Sequence, residues 1–120
     1  MKLHAYSVAV VVADRKKAKK WYTKTLGLKV LSDEGHWTVV GSKKGKMALH
    51  LCQVTEFDPK GKLEPGNTGV LFTVDGSIEK MYKSLKKKGV NFTVPPKKEE
   101  WGWFASFTDP DGNEFMLMPG

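Results

Sequence analysis

His50 combines acid–base chemistry with a place on a regular apolar stretch, "MALHLCQ", where alternation parts it from Leu49 and Leu51. Its imidazole could be satisfied by a neighbouring backbone group, could touch a ligand, or could act as acid or base. The same alternation sets Ser7 and Ala9 apart from Val8, Val10 and Val12. It parts Gly69 and Leu71 from Val70 and Phe72, and Met116 from Phe115 and Leu117. With the larger rows under helices, Ser7, His50, Gly69 and Met116 fall on open faces at matching places in two halves. Trp37, Trp101 and Trp103 add broad apolar rings with one N–H donor each, suited to a flat ligand or a subunit interface. "TDPDGNEF", residues 108–115, carries more acid than a turn requires, and could be a metal loop, part of a catalytic site or simply a turn.

The elements that must position these residues repeat. "AYSVAVVVAD" and "TGVLFTVD" are apolar strands, each ending in an aspartate suited to cap a helix. Ala18, Trp21, Tyr22 and Thr25 follow helical spacing in the first half, and Ile78, Met81, Tyr82 and Leu85 in the second. Gly27 and Gly89 stop the two helices. Strands "LKVLS" and "VNFTV" follow, then the pairs "HWTVVG" with "MALHLCQ" and "WFASFT" with "EFMLM". Asp14 and Asp75 stand 61 residues apart, so the period is that of a whole module. The expected class is α+β: two tandem βαβββ modules, residues 1–56 and 68–120, joined by a proline- and glycine-rich linker over 57–67. Their mixed sheets would curl around a cup.

A 120-residue chain with 40% hydrophobic residues can bury a core as one domain without staples. Cys52 is the single cysteine, which excludes an internal disulfide and a cysteine-based zinc site and fits a reducing, cytoplasmic setting. No signal peptide or membrane-spanning run is expected. The net charge of +7 comes almost wholly from lysine, with Arg15 the lone arginine, and the lysine clusters read as scattered solvated faces. Charge alone therefore leaves nucleic acid a disfavoured partner. No phosphate loop, nucleophile elbow or His-Glu-x-x-His motif is present.

Three blocks, "VAVVVADRKKAKKWYTKTLGLKV", "VLFTVDGSIEKMYKSLKKKGV" and "WGWFASFTDPDGNEF", resemble the vicinal oxygen chelate superfamily. That superfamily includes glyoxalase I, bleomycin-resistance proteins and extradiol dioxygenases, and the resemblance covers nearly all of the chain. It implies that Asp109–Asn113 is a hairpin turn aiming the last strand into the cup. Local chemistry agrees: Pro110 presets φ, Gly112 accepts positive φ and Asp109 can bond back to the backbone. The resemblance also implies a metal-ligand set at Ser7, His50, Gly69 and Met116. His50 alone is a credible ligand there, since a hard or borderline divalent ion needs several imidazoles or carboxylates. No cofactor is therefore expected, with a divalent metal ion the lesser alternative. His4 and His36 fall elsewhere on the strand pattern.

The leading expectation is a metal-free, glyoxalase- or bleomycin-resistance-like protein that binds a small molecule through Ser7, Trp37, His50, Gly69, Trp101, Trp103 and Met116. A neutral or anionic ligand, aromatic ones included, suits a chain of this charge, whereas cationic bleomycin would be repelled. The alternatives are a glyoxalase-related lyase or isomerase with His50 as general base, and a nucleic-acid binder. The resemblance further implies a homodimer in which sheets of two chains complete the cups.

Overall fold

The computed structural model describes residues 2–4, 7–34, 37–43, 45, 47–53 and 64–120. The first half contains β1 (Ser7–Val12), α1 (Arg15–Lys24), β2 (Lys29–Glu34), β3 (Trp37–Gly41) and β4 (Ala48–Gln53). The second contains β5 (Asn67–Val74), α2 (Ile78–Lys87), β6 (Asn91–Glu99), β7 (Gly102–Thr108) and β8 (Glu114–Pro119). Each half is a four-stranded mixed sheet with one order: β1-β4-β3-β2 and β5-β8-β7-β6. β1 runs parallel to β4 and β5 parallel to β8, while the remaining pairs are antiparallel. The duplicated βαβββ pattern expected from the sequence is therefore present. The chain divides into compact units Met1–Pro65 and Gly66–Gly120. β5 thus starts inside the stretch read as linker, of which residues 57–63 lie outside the described ones. No described helix is long and apolar enough to cross a membrane.

Alternation places each core. In the first unit Val10, Val12, Val40 and Leu51 are fully buried with Tyr22 of α1. Trp21, which shares the helical spacing of Ala18 and Tyr22, is only half-buried and sets its ring edge against Tyr22, centroids 5.0 Å apart. In the second unit Phe107 and Phe115 pack 5.7 Å apart, with Phe72 at 6.0 and 5.4 Å from them and Phe92 bridging to Tyr82 of α2. Apolar burial of this kind, about 25 cal/mol per Å², is what holds helix on sheet.

The helix ends follow the sequence, with one shift. Asp14 caps α1 by accepting from the Lys17 N–H at 3.0 Å. α2 is capped by Ser77, which accepts from the Lys80 N–H at 3.3 Å, and not by Asp75. Gly76, at φ 107°, turns the backbone between the two and makes Ser77 the residue that enters the helix. At its far end α2 closes in a Schellman motif: Val90 N–H bonds Leu85 C=O and Gly89 N–H bonds Lys86 C=O. Gly89 sits at φ 90°, and Leu85 and Val90 are both buried.

β6 runs farther than "VNFTV" suggested, through Pro95 and Pro96 to Glu99. Proline removes ladder donors and is tolerated because β6 is an edge strand, with its register against β7 shifting between Val94 and Lys97.

Candidate functional site

In the first unit, His50 pairs with Ala9 on one side and Val39 on the other, so these three share a sheet face. Period two adds Ser7 and Trp37 to that face. Ser7 Oγ lies 3.0 Å from His50 Nδ1, a hydrogen bond whose donor depends on the imidazole tautomer. Trp37 stacks on the imidazole, ring centroids 4.4 Å apart and planes 22° from parallel. Burial holds His50 below its ordinary value of 6.5, so the ring is neutral at pH 7. Exposed Ala9 leaves the sheet low beside the pair. Leu31, also exposed, lies over Gly41, where a Cβ would stand 2.9 Å from Leu31 Cδ1. The result is a flat, mostly apolar platform with one neutral, oriented imidazole.

In the second unit a bulge reshapes the expected row. β5 is out of step with β8 between Asn67 and Leu71, and Gly69 occupies that interval at φ 71°, its N–H bonded to Asn67 Oδ1 at 3.1 Å. Leu71, not Gly69, is therefore the residue opposite Met116. Ser106 flanks Met116 from β7, and period two puts Phe104 on the same face. Trp101 leans on Phe104, centroids 5.1 Å apart. Trp103 has the other parity, that of buried Ala105 and Phe107, so the two indoles around Gly102 part company. Leu71, Phe104, Met116 and Trp101 make this face apolar.

The acidic turn is a structural unit. Asp109 and Asn113 are only 4% and 2% exposed. Asp109 Oδ1 accepts from the N–H groups of Asp111 and Asn113 at 2.9 and 2.8 Å, and Oδ2 accepts from Asn113 Nδ2 at 2.8 Å. Asn113 Oδ1 in turn takes the Gly66 N–H at 3.1 Å, tying the turn to the start of β5. Gly112 sits at φ 90° and donates to Asp109 C=O. Among the described residues, no three His, Cys, Asp or Glu side chains converge as a metal-binding group. His4 is exposed, and His36 lies outside the described residues.

The structure brings Ser7, His50 and Trp37 together on one face, whereas Gly69 and Met116 are not opposite one another. Leu31 and Phe104 join these faces unexpectedly, and Leu71 stands in the row that alternation already gives it beside Gly69. A model of the Glyoxalase/Bleomycin resistance protein/Dioxygenase superfamily matches residues 4–117. Uncharacterized protein YetH of Bacillus subtilis is 32% identical over 119 residues, covering 92% of this chain and 93% of YetH. Among solved structures, a superfamily member from Sphaerobacter thermophilus superposes with a TM-score of 0.86 at 29% identity, covering 99% and 98% of the two chains. TnmS3, an antibiotic binding protein from Streptomyces sp. CB03234, gives a TM-score of 0.83 at 30% identity, covering 98% and 96%.

Proposed function

Because the chain belongs to the Glyoxalase/Bleomycin resistance protein/Dioxygenase superfamily, we propose that it is one of the members that bind a small molecule without a metal ion. The observation that carries this reading is the Trp37–His50–Ser7 arrangement: an indole stacked on a neutral imidazole whose Nδ1 is engaged by a hydroxyl. Such a surface offers ring area and a directed hydrogen bond, which suit a planar neutral or anionic ligand. The similarity to an antibiotic binding protein supports a small organic ligand as the class.

The donor set does not fit a divalent ion. Of the positions that the resemblance carries over, Ser7 is a neutral hydroxyl, Met116 offers a soft thioether, and neither Gly69 nor Leu71, which stands opposite Met116 instead, offers a donor. His50 supplies one nitrogen, and its Nδ1 is the atom facing Ser7. One imidazole without a carboxylate neither charges the site nor fixes a coordination geometry.

The test is elemental analysis of protein purified without chelators, paired with a tryptophan-fluorescence screen of planar aromatic compounds. Less than a tenth of an equivalent of transition metal is expected, and Trp37→Ala should weaken any hit about tenfold, ~1.4 kcal/mol. About one tightly held Ni, Zn, Mn or Fe per chain overturns the metal-free reading.

A second reading, a lyase or isomerase with His50 as general base, draws on that same neutral imidazole. In the tautomer whose Nδ1–H donates to Ser7, Nε2 carries the lone pair that a base needs. Turnover of glutathione hemithioacetals or epimerisable acids that His50→Ala leaves unchanged removes His50 from the mechanism. The proposal includes a twofold homodimer, supported by the exposure of Leu71, Trp101 and Trp103.

A further inference from the structure

On the helix side of the first unit, Arg15, Lys16, Lys19, Lys20, Thr23 and Lys24 line a groove of about 560 Å³ together with Asp33 of β2. Among the described residues, five cationic side chains thus meet a single carboxylate. α1 has six basic residues in ten and no acidic one, so its i, i+4 neighbours repel one another. Asp33 already serves the inner pair: it accepts from Lys19, lies 3.8 Å from Arg15 Nη1 and takes a hydrogen bond from Thr38 at 2.8 Å. Arg15 is further fixed by donating to Thr38 Oγ1 at 3.0 Å, and its backbone N–H bonds Gln53 Oε1 at 2.8 Å. The hydrogen bonds from Lys19 and Thr38 hold the Asp33 carboxyl below its ordinary value of 3.8, so the cations meet a charged partner near neutrality. The remaining three, Lys16, Lys20 and Lys24, form no ion pair with the described residues.

These three climb one stripe of α1 in steps of about 6 Å, each step one i, i+4 interval. The groove has the volume of a small-molecule site, and among the described residues its lining contains no aromatic ring on which a nucleobase could stack. Ammonium groups act as point charges well matched to phosphate oxygens. We propose that this groove binds a small multivalent oxyanion of the linked-phosphate class, bridging the Lys16–Lys20–Lys24 ladder over the anchored Arg15–Asp33–Lys19 floor. Binding offsets the repulsion built into α1. The site is independent of the Trp37–His50 platform, which lies on the other face of the sheet.

Calorimetric titration with inorganic tripolyphosphate, at constant ionic strength, tests it on the full chain. The K16Q/K20Q/K24Q variant should bind at least tenfold more weakly than the parent. K80Q/K83Q/K87Q, which removes the same charge from exposed positions on α2, should stay within twofold. Equal losses in both variants, or no binding by the parent at millimolar tripolyphosphate, overturn the proposal. So does an α1-specific loss seen only with a single-stranded oligo-dT, which would make the groove a nucleic-acid track. Amide chemical shifts of the parent give a second readout that needs no variant: tripolyphosphate should move the resonances of Arg15–Lys24, and movements confined elsewhere refute the site.

Discussion

Truncating Asp109 to alanine should be among the most destabilising single changes in the second unit. From the described residues the carboxylate accepts three hydrogen bonds, and two of the donors belong to Asn113, which is 2% exposed. The Asp111 N–H can turn to water, but the Asn113 N–H and Nδ2 cannot. Two orphaned buried donors at roughly 1.5 kcal/mol each give a loss of about 3 kcal/mol. For a domain of this size that is about 4 °C per kcal/mol, hence a fall of about 12 °C in Tm. Asp109→Asn is the finer probe. It keeps Oδ1 but points an NH2 at Asn113 Nδ2, and Asn113 cannot flip without abandoning the Gly66 N–H, so about half the loss is expected. Asp111→Ala is the control, because what Asp111 gives Asp109 is its backbone N–H; its cost should stay below about 1 kcal/mol. Scanning calorimetry reads all three. If Asp111→Ala proves as costly as Asp109→Ala, or if Asp109→Ala melts within about 3 °C of the parent, the turn is not held as described.

The depressed His50 imidazole makes stability pH-dependent in a definite direction. Between its folded value and the ordinary 6.5 the unfolded chain binds more protons, so the contribution is complete above 6.5 and is lost as pH falls through the folded value. Urea midpoints should decline on acidification through that window, and His50→Gln should remove that part of the slope. Gly69→Ala should cost about 1–2 kcal/mol from its φ of 71° alone, since a Cβ there meets nothing within 4 Å, whereas Gly66→Ala, equally roomy and not at positive φ, should be near neutral by urea unfolding. Light scattering at micromolar concentration should report about twice the 13.4 kDa chain mass, and a clean monomer refutes the dimer.

Period-two alternation, two glycine stops and a repeated Asp–helix junction were enough to read the duplicated architecture, because each is a local consequence of backbone geometry. What escaped the sequence needed a second strand. Pro95-Pro96 reads locally as a stop, and only the edge position of β6 makes it strand. Gly69 looks like one more alternating residue until its positive φ sets β5 out of step with β8 and hands its expected place to Leu71. The Ser7–His50 bond was legible as a shared face. The Trp37 stack was not, because the offset of β3 against β4 is written in no local pattern. The lysines of α1 read as a solvated face, and the Asp33 carboxylate that gathers two cations with Thr38 arrives from a different strand.

The two consecutive prolines of β6 also bear on how copies of this chain can meet. Proline carries no N–H, so Pro95 and Pro96, at the register shift between Val94 and Lys97, leave two consecutive residues of this edge strand without a backbone donor. A strand from another molecule adding to that edge would find its ladder interrupted midway, with a carbonyl left facing nothing. Growth by strand addition, the first step toward fibrils, is thus blocked at β6 by composition rather than by a covering element. Any association on that side has to be made by side chains and faces, which leaves the exposed rings of the second unit as the means of contact and the backbone as a bystander.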